Sequence, residues 1–189
     1  EPFNPVHEGH VSLYVCGPTV YSDSHLGHAK AYVSFDVILR YLRFCGLKTL
    51  YVQNITDVGH LMGDADEGED KLLKRARELN QEPMAVAESY SRRHFEAMDL
   101  LEVIRPDISP RATGHIPEQL EAIEKLLEHG LAYESNGSVY FEITKDPKYG
   151  ELSNRKVEEM KSGARVKVRS EKRHPGDFAL WKRAEPGHL

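Results

Sequence analysis

Apolar and β-branched residues crowd the run Val11-Ser12-Leu13-Tyr14-Val15, which Cys16-Gly17-Pro18 closes. That pattern predicts a buried strand ending in a turn. A loop from Thr19 to Ser24 follows. From Gly27 to Phe44, apolar Val33, Val37 and Ile38, then Tyr41 and Leu42, recur at helical spacing, and Gly46 supplies a C-terminal stop. Thr49-Leu50-Tyr51-Val52 reads as a second strand. Residues 11–53 therefore predict a strand–helix–strand unit of the length a parallel crossover needs. Glu69 to Leu79 and Pro83 to Leu100 predict two more helices, with Pro83 in a first turn. The prolines of Arg105-Pro106-Asp107 and Ser109-Pro110-Arg111 break the pattern before a helix resumes near Ile116 and stops before Gly130. Leu131 to Ile143 alternates around Asn136-Gly137, a pair suited to the positive φ angles of a type I′ hairpin. The compact segment Asp177 to Lys182 is expected to return the chain to the first sheet. The fold class is thus α/β, a parallel sheet with an inserted α+β region carrying the hairpin.

Composition narrows the class. The chain has 189 residues, 40% hydrophobic and 29% charged, enough for one domain or one domain with a sizeable insertion. A chain of this size buries roughly 70% of its unfolded surface and needs no disulfide or metal to fold. A net charge of −5 excludes nucleic-acid recognition by bulk positive charge, though not by a local basic patch. No stretch approaches the ~18 apolar residues of a membrane span, and no leader points to secretion. Cys16 and Cys45 cannot make a disulfide framework, so a reducing cytoplasm is the expected location. The glycine-rich, acidic stretch Gly59 to Asp70 predicts an exposed loop without the ligand spacing of an EF-hand. Lys71, Lys74, Arg75 and Arg77 predict a solvated face, with contact to a polyanion as the alternative. Glu151 to Arg173 is polar, basic and expected to be peripheral. Neither end resembles a natural terminus, and a fragment is expected.

The chemistry concentrates in Cys16-Gly17-Pro18-Thr19-Val20-Tyr21-Ser22-Asp23-Ser24-His25-Leu26-Gly27-His28. It lies between the first strand and the first helix, where open α/β sheets bind ligands. The free amides and positive dipole end of a helix N-terminus suit phosphate. His25 and His28, three apart, share one side of the first turn. Their N–H donors can hold nucleotide phosphates and stabilise charge that develops during transfer. Gly27 leaves room for a base to approach the backbone. No P-loop and no G-x-G-x-x-G occurs. Cys16, at the strand end, reads either as a small buried hydrophobe or as a thiolate metal ligand whose partners lie far along the chain. Cys45 is expected in the core. Thr56 and Asp57 follow the second strand and border the same crevice, or else cap a helix.

The segments L-Y-V-C-G-P-T-V-Y, H-L-G-H, F-D-V-I-L-R-Y-L-R-F-C-G and N-I-T-D, continued by R-P-D, P-R-A-T, D-P-K-Y-G-E-L-S, G-A-R-V and D-F-A-L-W-K, resemble the N-terminal half of bacterial cysteinyl-tRNA synthetases over essentially the whole chain. H-L-G-H is similar to the class I signature His-Ile-Gly-His, with Leu26 in place of Ile. The resemblance implies a Rossmann-type catalytic domain interrupted by a connective insertion. Residues 1–100 would be its first half, 101–176 the insertion with the hairpin, and 177–189 a truncated return. It implies ATP-dependent activation of cysteine to an adenylate, with Mg2+, and transfer to tRNA(Cys). His25, Gly27 and His28 would bind ATP, the two histidines acting in catalysis. Cys16 would be a ligand of Zn2+, which binds the substrate thiolate and rejects serine, because a hydroxyl cannot reproduce a metal–sulfur bond. Gly17 and Thr56 would line the amino-acid pocket with Cys16. The family's other zinc ligands, its Lys-Met-Ser-Lys-Ser loop, and its helical and anticodon-binding domains have no counterpart in these residues. The chain is therefore expected to be an incomplete fragment, inactive alone, with cysteine, ATP and tRNA(Cys) as partners of the full-length parent and no membrane. The alternatives are a cysteine ligase of mycothiol biosynthesis and another HxGH nucleotidyltransferase.

Overall fold

The computed structural model describes residues 3–59, 70–154 and 171–184. The parts of the acidic loop at 60–69 and of the basic stretch at 155–170 lie outside the described residues. The described residues divide into two compact units, the first running through 115 and the second from 116 onward.

In the first unit, β1 (His10–Val15) and β2 (Lys48–Gln53) pair in parallel, with His10 opposite Lys48 and Val15 opposite Gln53. The crossover is α1 (Leu26–Phe44), which ends at Gly46 with φ 82°. The proline-interrupted stretch that the sequence marks as a break lies along the other edge of β2. Parallel bridges join Val52 to Ile108 and Ile55 to Arg111. Ile55 N–H donates to the Pro110 carbonyl at 2.8 Å, while Pro110 has no N–H to return. The prolines prevent a regular ladder without preventing the alignment. This is why the first unit extends to 115 rather than ending after 100.

The N-cap Asp70 of α2 (Lys71–Leu79) accepts from the Leu72 and Leu73 amides at 2.8 and 3.0 Å. α3 (Pro83–Leu100) opens on its proline. α3 packs against the β1–β2 sheet through Met98, and α2 packs against α3. Val20, Ile55, Leu72, Ala76, Val86 and Tyr90 belong to one buried cluster, and Val15, Tyr32, Leu39, Tyr51 and Met98 to another. One expectation is corrected here. Cys45 is exposed rather than buried: it is the α1 C-cap, its amide bonded to the Tyr41 carbonyl. Val33, Val37, Ile38 and Tyr41, which mark α1 as a helix, are also exposed, and the buried stripe is Tyr32 and Leu39.

In the second unit, α4 (Ile116–Glu128) leads to the antiparallel strands β3 (Ala132–Ser135) and β4 (Ser138–Phe141). Asn136 and Gly137 carry φ angles of 50° and 79°, as the hairpin signal requires. β5 (Phe178–Trp181) pairs antiparallel with β4 and does not return to the first sheet. Aromatic matching explains the choice, since Phe178 lies opposite Phe141 with ring centroids 5.2 Å apart. Asp177 is buried beneath, accepting from the Tyr133 hydroxyl at 2.8 Å and from the Ile143 and His174 amides.

Candidate functional site

The carboxyl ends of β1 and β2 and the start of α1 meet in the first unit. Gly17 follows β1 there and touches the chain beyond β2. A Cβ at Gly17 would sit 1.5 Å from the Asn54 carbonyl oxygen, so only glycine fits. The Asn54 side chain fastens the junction, its Oδ1 accepting from the Gly17 amide at 2.8 Å and the Tyr14 hydroxyl at 2.9 Å. Its Nδ2 donates to Thr56 Oγ1 at 3.1 Å. Thr56 bridges Thr19 in parallel, its amide donating to the Pro18 carbonyl at 3.0 Å. The loop after β1 and the chain after β2 thus run side by side, placing Cys16, Gly17 and Thr56 at one mouth. Thr56 does not cap a helix.

His25 is the N-cap of α1. The Gly27 amide donates to His25 Nδ1 at 3.0 Å, and the His25 amide donates to His28 Nδ1 at 3.1 Å. This is a capping box built from two imidazoles. Because each Nδ1 accepts from an amide, each neutral ring carries its proton on Nε2 and keeps that donor for a ligand. The ring centroids are 4.1 Å apart. Burial, and secondarily the charge on His25, hold the His28 pKa below its ordinary value. Gly27 packs against the His25 ring, where a Cβ would approach Cε1 to 2.8 Å. Neutral imidazole donors at a helix N-terminus have the chemistry to accept an anion.

Cys16 is exposed, which removes its reading as a buried hydrophobe. The buried Tyr32 donates its hydroxyl to the Cys16 carbonyl at 3.4 Å. Burial first, then Cys16 and Tyr51, push the Tyr32 hydroxyl up to about 12. Asp57 is 1% exposed and accepts from the Thr113 amide and hydroxyl at 3.0 and 2.7 Å. It ties the chain after β2 to the segment beyond Arg111. Among the described residues, no three His, Cys, Asp or Glu side chains converge on a point that could hold a metal. Cys16 by itself is one donor, not a metal site. No described helix is long and apolar enough to cross a membrane.

Sequence reasoning named Cys16, Gly17, His25, Gly27, His28 and Thr56, and the first unit contains them all at strand or helix ends. It missed Asn54 as a fastener, Tyr32 as the ring stacked against His28 at 6.3 Å, and His94. For His94 a signal existed: Ala87, Ser91, His94 and Met98 share one helical face, and all are buried.

The profile of the family described as tRNA synthetases class I (C) catalytic domain matches residues 2–189. The cysteine–tRNA ligase of Chlorobaculum tepidum is 60% identical over 100% of this chain, and that of Thermus thermophilus is 59% identical over 100%. The chain spans 40% and 39% of those two relatives, about two fifths of their length. A LeuRS from Agrobacterium radiobacter K84, solved in a ternary complex with tRNA and LeuAMS, superposes with a TM-score of 0.53 at 18% identity. That match covers 75% of this chain and 18% of the LeuRS, and it shows a shared fold.

Proposed function

The chain belongs to the tRNA synthetases class I (C) catalytic domain family, and from that premise we propose that it supplies the nucleotide-binding half of an enzyme that activates cysteine with ATP and transfers it to tRNA(Cys). The observation that carries this reading is the imidazole capping box at the mouth of a parallel βα unit. Neutral Nε2–H donors on His25 and His28 meet the phosphates of Mg2+-bound ATP and stabilise charge as the cysteine carboxylate attacks the α-phosphorus and pyrophosphate leaves. Such donors act most strongly in the transition state, because they need no reorganisation. Cys16, Gly17 and Thr56 border the place of the amino acid.

Cys16 is proposed as one thiolate ligand of Zn2+, with the remaining ligands outside this chain. Bound zinc would supply a soft anchor for the substrate sulfur. The described residues do not complete that site, so the chain alone is expected to hold zinc weakly and to be inactive.

The test joins the chain to the remaining residues of the Chlorobaculum tepidum relative and measures cysteine-dependent ATP–pyrophosphate exchange. The chimera is expected to exchange and the chain alone is not. His25→Ala and His28→Ala in the chimera should each slow exchange by about 10²–10³ while altering cysteine affinity far less. Unchanged exchange in both variants rejects the assignment. Cys16→Ser should lower zinc content and erode the preference for cysteine over serine, leaving only the roughly 10–200-fold that a shaped pocket alone provides. Full zinc with unchanged selectivity removes Cys16 from the site. Aminoacylation of tRNA(Cys) by the chimera separates this reading from a cysteine ligase acting on a small acceptor.

A further inference from the structure

His94, on α3, is 3% exposed, and its Nδ1 shares a hydrogen bond of 2.9 Å with Ser24 Oγ. Ser24 immediately precedes the α1 cap. The same ring meets Tyr32 edge-on at 5.2 Å, and Tyr32 stacks with His28. The preceding α3 residue, Arg93, pairs with Asp23 at 2.7 Å. Two successive residues of α3 therefore hold two successive residues of the loop that delivers His25.

The His94 Nε2 is buried without a hydrogen-bond partner. An unpaired buried polar atom costs stability, and phenylalanine would fill similar space without that cost. Stability alone does not account for an imidazole here. An imidazole offers one edge to bond Ser24 and a ring to pack on Tyr32. It does so uncharged, because burial, and then the charge on His28, push its pKa down to about 4.

We propose that His94 is a positioning residue for the His25–His28 pair: through Ser24 it fixes the residue entering the cap, and through Tyr32 the ring beside His28, so that both Nε2–H donors keep one orientation. The purpose of that orientation rests on the nucleotide reading above.

The test uses the 15N-labelled 189-residue chain, long-range 1H–15N spectra that report each histidine tautomer, and Mg2+–ATP as probe. The unsubstituted chain is expected to show single Nε2–H tautomers at His25 and His28. His94→Phe keeps the ring and loses the bond, and Ser24→Ala loses the same bond from the other side. Each is expected to give mixed tautomers at the pair and an ATP Kd raised about tenfold, with the double variant no worse than either single one. His94→Asn, whose amide can bond Ser24, should restore most of the single-tautomer signal. Folded His94→Phe and Ser24→Ala chains that keep single tautomers at both histidines overturn the proposal; if His94→Phe does not fold, Ser24→Ala decides alone. If tautomers shift but the unsubstituted chain does not bind ATP, the positioning role stands and nucleotide binding by this chain fails.

Discussion

α1 and α3 are almost equal in length, 19 and 18 residues, and opposite in how they are held. α3 buries Val86, Ala87, Tyr90, Ser91, His94 and Met98, whereas α1 buries only Tyr32 and Leu39. Ile38, Tyr41 and Phe44 on α1 are 47%, 64% and 86% exposed. The helix capped by the His25–His28 pair is not the helix that anchors the unit. α1 is held along a narrow stripe and at its capped end, and part of that grip comes from α3.

The largest expected effect tests the narrowness of the stripe. Leu39, fully buried, should cost about 2–5 kcal/mol as Leu39→Ala, as should Met98→Ala on α3. Urea unfolding measures both, and a small loss at Leu39 would mean that α1 is held elsewhere. The second test is pH. His94 titrates at about 4 when folded, against 6.5 in an unconstrained chain. Between these values the unfolded chain binds more protons, so stability rises with pH from about 4 to 6.5 and falls by about 2–3 kcal/mol on acidification through that window. His28, lowered in the same direction, adds to this slope. His94→Phe should remove most of it, and an undiminished slope would place the titration elsewhere. The smallest effect lies on the outer face of α1, where Ile38→Ser and Tyr41→Ser should change stability by less than about 0.5 kcal/mol.

Local signals in the sequence carried much of this architecture. The β1–α1–β2 crossover follows from periodicity, and the Asn136-Gly137 hairpin from backbone freedom at two residues. Both depend on neighbours in the chain. The mouth was legible in the same way, because ligand residues in an α/β unit collect at strand ends. What failed depended on distance. The period of 3.6 marks α1 as a helix but cannot say which of its two apolar faces finds a partner. The prolines near 108 forbid a ladder, yet they leave carbonyls for β2 to use. β5 chose β4 through an aromatic match that a four-residue segment does not announce. Asn54 joins Gly17 across 37 residues, and His94 joins Ser24 across 70, so neither role exists until the chain has folded.

The imidazole capping box also bears on how the protein handles free transition metals. Two histidines one helical turn apart ordinarily make a good chelating pair, since neutral imidazole is a common metal ligand. Here the Nδ1 lone pairs of His25 and His28 are engaged by the Gly27 and His25 amides, and the protons sit on Nε2. An ion could bind only by displacing those amides and unwinding the first turn, or by expelling a ring proton. The cap therefore disfavours metal binding by this histidine pair, leaving the exposed thiol of Cys16 as the softer and more accessible donor.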